Sequence, residues 1–145
     1  MTMASGWFGI TERDIKDTTA LAVDFQLDTC RYVLVLDGYT PDFNAHDFYA
    51  DITNEASNGN GYTTGGQSAD SLTYAVSSGF VVLDATDEVF TSLTKTVRGL
   101  VFDDDTLASD PLILAQTFGS DVVVTAGNLT IQHDANGIGR VDIIP

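Results

Sequence analysis

A chain of 145 residues, 43% apolar and 10% aromatic, is long enough to bury one core and too apolar to be disordered. Twenty-one acidic residues against six basic ones give a formal net charge of −15; such a surface repels phosphate backbones and anionic lipid, so neither nucleic acid nor a membrane is expected as a partner. The single cysteine, Cys30, excludes an intrachain disulfide and thiolate-rich zinc clusters, and no apolar run approaches the length of a membrane-spanning helix.

The first residues, "MTMASGWFGITERDIKD", lack the basic start and continuous apolar stretch of a signal peptide, so synthesis in a cytoplasm is expected. The segment "ITERDIKDTTALAVDF" predicts a helix over residues 10–25, capped by Thr11 and with acidic residues in its first turn. Residues 1–28 then form a helical arm too small for a core of its own. They are expected to pack on a β-rich body, 29–145, within one domain. "TCRYVLVLDGY", residues 29–39, is the clearest strand. Its apolar residues fill both faces, which predicts burial on two sides or at an interface, with Cys30 as a small buried hydrophobe.

After Pro41, "DFNAHDFYADIT" predicts a short helix capped by Asp42 or Asn44 and carrying His46, Phe48 and Tyr49. Phe48, Tyr49 and Ile52 would pin it to the sheet. "NEASNGNGYTTGG" is loop by composition. "DSLTYAV" alternates, with Leu72, Tyr74 and Val76 on one face, and Ser77-Ser78-Gly79 turns it into "GFVVLDA" as a hairpin. "KTVRGLVFDD" is a strand with a bulge at Gly99. Asp103, Asp104 and Asp105 are expected in an exposed turn. "PLILAQTFG", "DVVVTAG" and "NLTIQHD" read as three short strands. A tight hairpin with positive φ at Asn136 and Gly137 leads into the last strand, "GRVDII". The pattern is mainly β: an antiparallel sandwich or barrel-like domain, with a short N-terminal helix and one short helix inserted after the first strand.

Chemistry-bearing residues are sparse. Asp42, Asp47, Asp51 and Glu55 cluster, and on a helix Asp47 and Asp51 would share a face. Oxygen ligands so placed suit a divalent cation, and a metal-assisted hydrolase using Asp42, Asp47 and Asp51 is one function class to test. In so acidic a chain the preferred reading is a solvated face. "DANGIGRVD" fails as a calcium loop, since Ile138 stands where an oxygen ligand is required and the final acid would fall on Pro145. No G-x-S-x-G elbow accompanies His46 or His133, and "GNGYTTGG" lacks the lysine and helix of a phosphate cradle. His46 is read as capping or orienting the short helix, and His133 as an exposed strand tip. No catalytic residue, cofactor or metal ligand is assigned.

Three blocks in this order, "DTCRYVLVLDGYTPD", "HDFYADITNEASNGNGYTTGG" and "FGSDVVVTAGNLTIQHDANGIGRVDII", resemble the small virion structural proteins of tailed bacteriophages. The signature positions are Pro41, Asp42, His46, Asp47, Phe48, Asn54 and Gly137, and the N-terminal segment departs from the pattern. The resemblance implies a structural part of a phage particle without catalytic residues. Its first implication is a capsid decoration or cement protein on the virion surface, bound to the major capsid protein as a homo-oligomer, a trimer or dimer. A tail or tail-fibre, receptor-binding component is the alternative. Trp7, Phe8, Phe43 and Tyr62 are the candidate interface side chains, since aromatics are enriched at interface hot spots. Trp7 has a second reading, as an anchor inside the fold.

Overall fold

The computed structural model describes residues 3–16 and 21–142. A two-residue strand, β1 (Gly6–Trp7), leads into helix α1 (Gly9–Lys16). Strand β2 follows at Cys30–Val35, and its residues decide the centre of the fold. Tyr32 and Leu34 point to one core and Val33 and Val35 to another, and all four are fully buried. This is the two-sided burial that the unbroken apolar run predicts. Strands β3 (Gln67–Ser68), β4 (Thr73–Ser77), β5 (Phe80–Asp84), β6 (Glu88–Asp104), β7 (Leu112–Ile131) and β8 (Gly139–Asp142) complete the described strands.

All pairings are antiparallel, in a five-stranded sheet of order β1-β7-β6-β2-β3 and a three-stranded sheet of order β4-β5-β8. The molecule is mainly β and sandwich-like, and among the described residues no barrel closes. One core gathers Tyr32, Leu34, Leu100 and Phe102 of the large sheet with Leu83 of the small one. The second core lies on the other face of the large sheet. There Met3 and Phe8 of the N-terminal arm, with Tyr39, cover Val33, Val35 and Val101.

Several expectations are corrected. The helix predicted over 10–25 reaches only Lys16, and residues 24–28 form a turn in which the N–H groups of Leu27 and Asp28 both donate to the Asp24 carbonyl. Residues 17–20 of that prediction lie outside the described residues. Thr11 does not cap α1; it is buried inside the first turns and its hydroxyl donates to the Leu112 carbonyl at 2.5 Å, pinning the helix to β7. The short helix after Pro41 is reduced to a 3-10 turn, Tyr49–Asp51, preceded by one turn closed on Asp42. Phe48 is half-buried outside both cores and makes an antiparallel bridge to Pro111. Phe43, Tyr49 and Ile52 are the side chains that pack on the second core.

The three short strands expected after Pro111 are one 20-residue strand, β7, paired with the 17-residue β6. Register shifts bend the pair, including one at the expected bulge between Val97 and Gly99. A Cβ at residue 99 would sit 2.4 Å from the Gln116 carbonyl oxygen, so only glycine lets the strands approach there. The β4–β5 hairpin turns at Ser78-Gly79, with φ of 49° and 89°, the mirror-image turn that fits strand twist. The Asn136-Gly137 hairpin is corrected. The turn spans Asp134 to Gly137, with the Gly137 N–H donating to the Asp134 carbonyl, and Gly137 alone has positive φ, at 70°. It joins no hairpin, because β7 and β8 belong to different sheets. Residues 143–144 of the last predicted strand lie outside the described residues.

Candidate functional site

The signature stretch from Tyr39 to Gln67 runs along the edge of β2 away from β6 and ends in β3, and its acidic side chains at Asp42, Asp51 and Glu55 bond to their own neighbours. The Asp42 side chain accepts the Asn44 N–H at 2.9 Å, and its carbonyl accepts those of Ala45 and His46. The capping role expected of Asp42 is present on this single turn. The His46 ring lies against Tyr39, its Nδ1 3.3 Å from both the Tyr39 hydroxyl and the Asp42 N–H. His46 therefore orients the turn over the buried Tyr39. One residue on, Asp51 Oδ2 accepts the N–H groups of Asp47 and Phe48, each at 3.0 Å. Those donors hold the Asp51 carboxyl below its ordinary range. Burial and the adjacent Asp51 push the Asp47 carboxyl up. Asp47 and Asp51 thus come together as their spacing predicts, while Asp42 is occupied elsewhere. Among the described residues no group of three His, Cys, Asp or Glu side chains is arranged to hold a metal ion.

Glu55 is the node of the second half. It accepts the Tyr49 hydroxyl, the Tyr62 hydroxyl at 2.7 Å and the Gly65 N–H at 2.7 Å. Tyr62 in turn accepts the Leu34 N–H at 3.2 Å. Burial, then the hydrogen bond to Glu55, pushes both phenols up, so they remain protonated donors. The backbone continues the β2 edge: Leu36 donates to the Asn54 carbonyl and Ala56 to the Leu34 carbonyl, both at 2.9 Å. Asn54 itself sits at φ 58°, a left-handed position that asparagine tolerates.

Beside this brace lies a charge cluster that the sequence reading missed. Arg31 binds Asp103 twice, Nε to Oδ1 at 3.2 Å and Nη2 to Oδ2 at 2.5 Å. It also reaches Asp105 at 2.6 Å and Asp110 at 3.1 Å, and stands 5.3 Å from the centre of the Tyr49 ring. The expected exposed turn at Asp103–Asp105 is overturned: Asp103 and Asp104 are completely buried in β6, and only Asp105 is exposed. Burial pushes the Asp103 carboxyl up to about 6 while Arg31 pulls it down, so the ion pair is intact at neutral pH. A signal was present, since alternation places Arg31 on the same face as Val33 and Val35, where a cation needs a buried partner.

Of the four candidate interface side chains, two are spent inside the chain. Phe8 is wholly buried, with its ring 5.3 Å from Phe43, and Tyr62 is buried under the loop that it ties to β2. Phe43 and Trp7 are half-buried, Phe43 on the second core and Trp7 on the first, against Gly139. Phe8, expected as an interface side chain, is therefore not exposed on this chain. His133 is not an exposed tip either. Its Nε2 lies 2.8 Å from the hydroxyl of the buried Tyr32, with the rings stacked at 5.7 Å. Cys30 is fully buried, as its place in the alternation predicts, and burial followed by the charge of Asp104 pushes its thiol up, away from nucleophilic use.

Comparison with known proteins found no family model, no curated protein and no solved structure that matches the chain.

Proposed function

We propose that this chain is a structural component of a bacteriophage virion, a head-decoration protein that binds the major capsid protein lattice as a homo-oligomer. The observation that carries the reading is how the resembling blocks are used. The first is β2, the second is the brace at its edge, and the third runs through β7 to β8. At the end of the first block and through the second, Asp42, His46, Asp51 and Glu55 all serve hydrogen bonds within the chain. Residues so used support a role in holding shape, and no catalytic step is assigned to them. Strong negative charge suits a protein that stays soluble until it meets a repeated surface, where many weak contacts add.

The test is copy number in purified particles, by quantitative mass spectrometry against the major capsid protein. A ratio near that of the capsid protein supports decoration. A ratio typical of a tail part favours a tail or receptor-binding component, a reading that the exposed β4–β5 hairpin supports through Val76, which is 71% exposed near its tip. Absence from particles refutes both.

A further inference from the structure

The end of β6 carries two consecutive aspartates, and the pleat sends them to opposite faces. Asp103 meets Arg31. Asp104, paired in the ladder with Cys30, is completely buried and has no cation beside it among the described residues, because Arg31 is engaged on the other face by Asp103, Asp105 and Asp110. Asp104 Oδ1 accepts the N–H groups of Thr106 at 2.9 Å and Leu107 at 3.3 Å. Its Oδ2 is shut away from solvent and finds no donor among the described residues. Asp28 stands two residues before Cys30, the ladder partner of Asp104, and its carboxyl group acts on that of Asp104.

Asp28 is held there by its own turn. Its Oδ2 accepts the Asp24 N–H at 2.7 Å, and its N–H donates to the Asp24 carbonyl at 2.7 Å. The next residue, Thr29, is tied to the same end of β6, its N–H donating to Thr106 Oγ1 at 2.7 Å and its carbonyl accepting the Asp105 N–H at 2.8 Å. Two neighbouring carboxyl groups, one of them completely buried and neither with a basic partner among the described residues, resist being ionised together.

We propose that Asp28 and Asp104 share one proton across Asp104 Oδ2, and that the pair is a pH-sensitive clasp fastening the 24–28 turn to the end of β6. The other titratable groups near it bring no positive charge: Cys30 is a buried thiol, Asp24 is a further acid, and Asp103 and Asp105 are turned to Arg31. Burial is the largest influence raising the Asp104 carboxyl to about 6, and the charge of Asp28 adds to it, against the two backbone donors. A carboxyl raised on folding stabilises the fold fully below its unfolded value, here 3.8, and that contribution is lost as pH climbs to about 6. Loss of the proton loosens a turn that seats Phe25 in the first core, 5.0 Å from the Tyr74 ring, and carries Leu27, 82% exposed.

The experiment compares the full chain with Asp104→Asn in denaturant unfolding from about pH 4 to about pH 7.5, together with hydrogen exchange at the amides of residues 24–29. Asparagine keeps an acceptor for Thr106 and Leu107 and gives Asp28 an N–H donor, so it imitates the protonated form. Relative to the variant, the wild-type folding constant should fall by about tenfold per pH unit across the window, since one proton is linked to folding. At the upper pH, wild-type amides in the turn should exchange faster than those of the variant. Asp28→Asn should flatten the profile in the same way, which covers the case of an Asp104 variant that fails to fold. Parallel pH profiles would overturn the shared proton. So would calcium that stabilises the wild type above pH 7 but not Asp104→Asn, for it would place a metal ion between the carboxylates.

Discussion

Arg31→Met tests the charge cluster directly. The substitution keeps most of the side-chain length and removes the cation. Asp103, with 0% side-chain exposure, is left without its bidentate partner, while Arg31 itself is only 15% exposed. Removing one member of a buried pair costs about 3–5 kcal/mol, most of it the penalty of a bare buried charge. Asp105 and Asp110 enlarge that penalty by crowding the same site with negative charge. The loss should depend on pH in a defined direction. Above about 6, Asp103 is ionised in the wild type and must be protonated or left bare in the variant. As pH falls through that value both forms protonate, and the difference shrinks. Urea unfolding on either side of the window measures this. The double variant Arg31→Met, Asp103→Leu should recover much of the loss, because a packed apolar pair replaces a buried ionic one at little cost. A loss under about 1 kcal/mol, or one equal at both pH values, would refute the account.

Phe8→Ala should destabilise by about 3–5 kcal/mol in a denaturant melt. Phe48→Ala, at a half-buried position outside both cores, should cost well under half of that; equal losses would contradict the packing described. Glu55→Gln weakens three hydrogen bonds to a charged acceptor and should cost about 1.5–3 kcal/mol by the same assay. Two loop glycines separate strain from collision. Gly59→Ala, at φ +94° with nothing within 4 Å, should cost roughly 1–2 kcal/mol from backbone strain alone. Gly66→Ala would bring a Cβ to 2.2 Å from the Tyr32 carbonyl oxygen and should cost far more, with loss of the β2–β3 pairing visible in amide exchange.

Features of the fold that depend on local chemistry were legible. The apolar run of β2, the Ser78-Gly79 turn and the Gly99 bulge each follow from residues within a few positions of one another. What depends on distant partners was not. Three adjacent aspartates read as a solvated turn because nothing nearby neutralises them, yet the guanidinium that pairs with Asp103 and Asp105 stands 72 residues before Asp103 in the chain. Asp134 to Gly137 signals a turn correctly but cannot say that the next strand leaves for the other sheet, pairing with β5. Composition breaks β7 into three pieces at Gly119 and Gly127, where pairing with β6 carries one bent strand through. The short acidic segment after Pro41 has too little helical period to propagate, so capping by Asp42 and Asp51 yields single turns.

Charge placement bears on how such a chain would assemble. The basic residues whose side chains are described are each engaged within the chain. Arg31 and Arg98 hold aspartates, Arg13 pairs with Asp14, Lys95 donates to the Ser57 carbonyl, and Arg140 binds Asn136 and lies over Phe80. The surplus acids, among them Asp42, Asp70, Asp87 and Asp142, face solvent. Two free copies, each at −15, therefore repel, and the repulsion is screened only over about 10 Å at 0.1 M salt. A basic lattice surface beneath them would remove that cost. On the proposed function, docking should then precede contact between copies, and particle binding should weaken as salt rises. Sedimentation at low and moderate salt, beside binding to stripped particles, distinguishes the orders. A stable oligomer of the free chain at low salt would mean that an apolar interface outweighs the charge and that the lattice is not needed to form it.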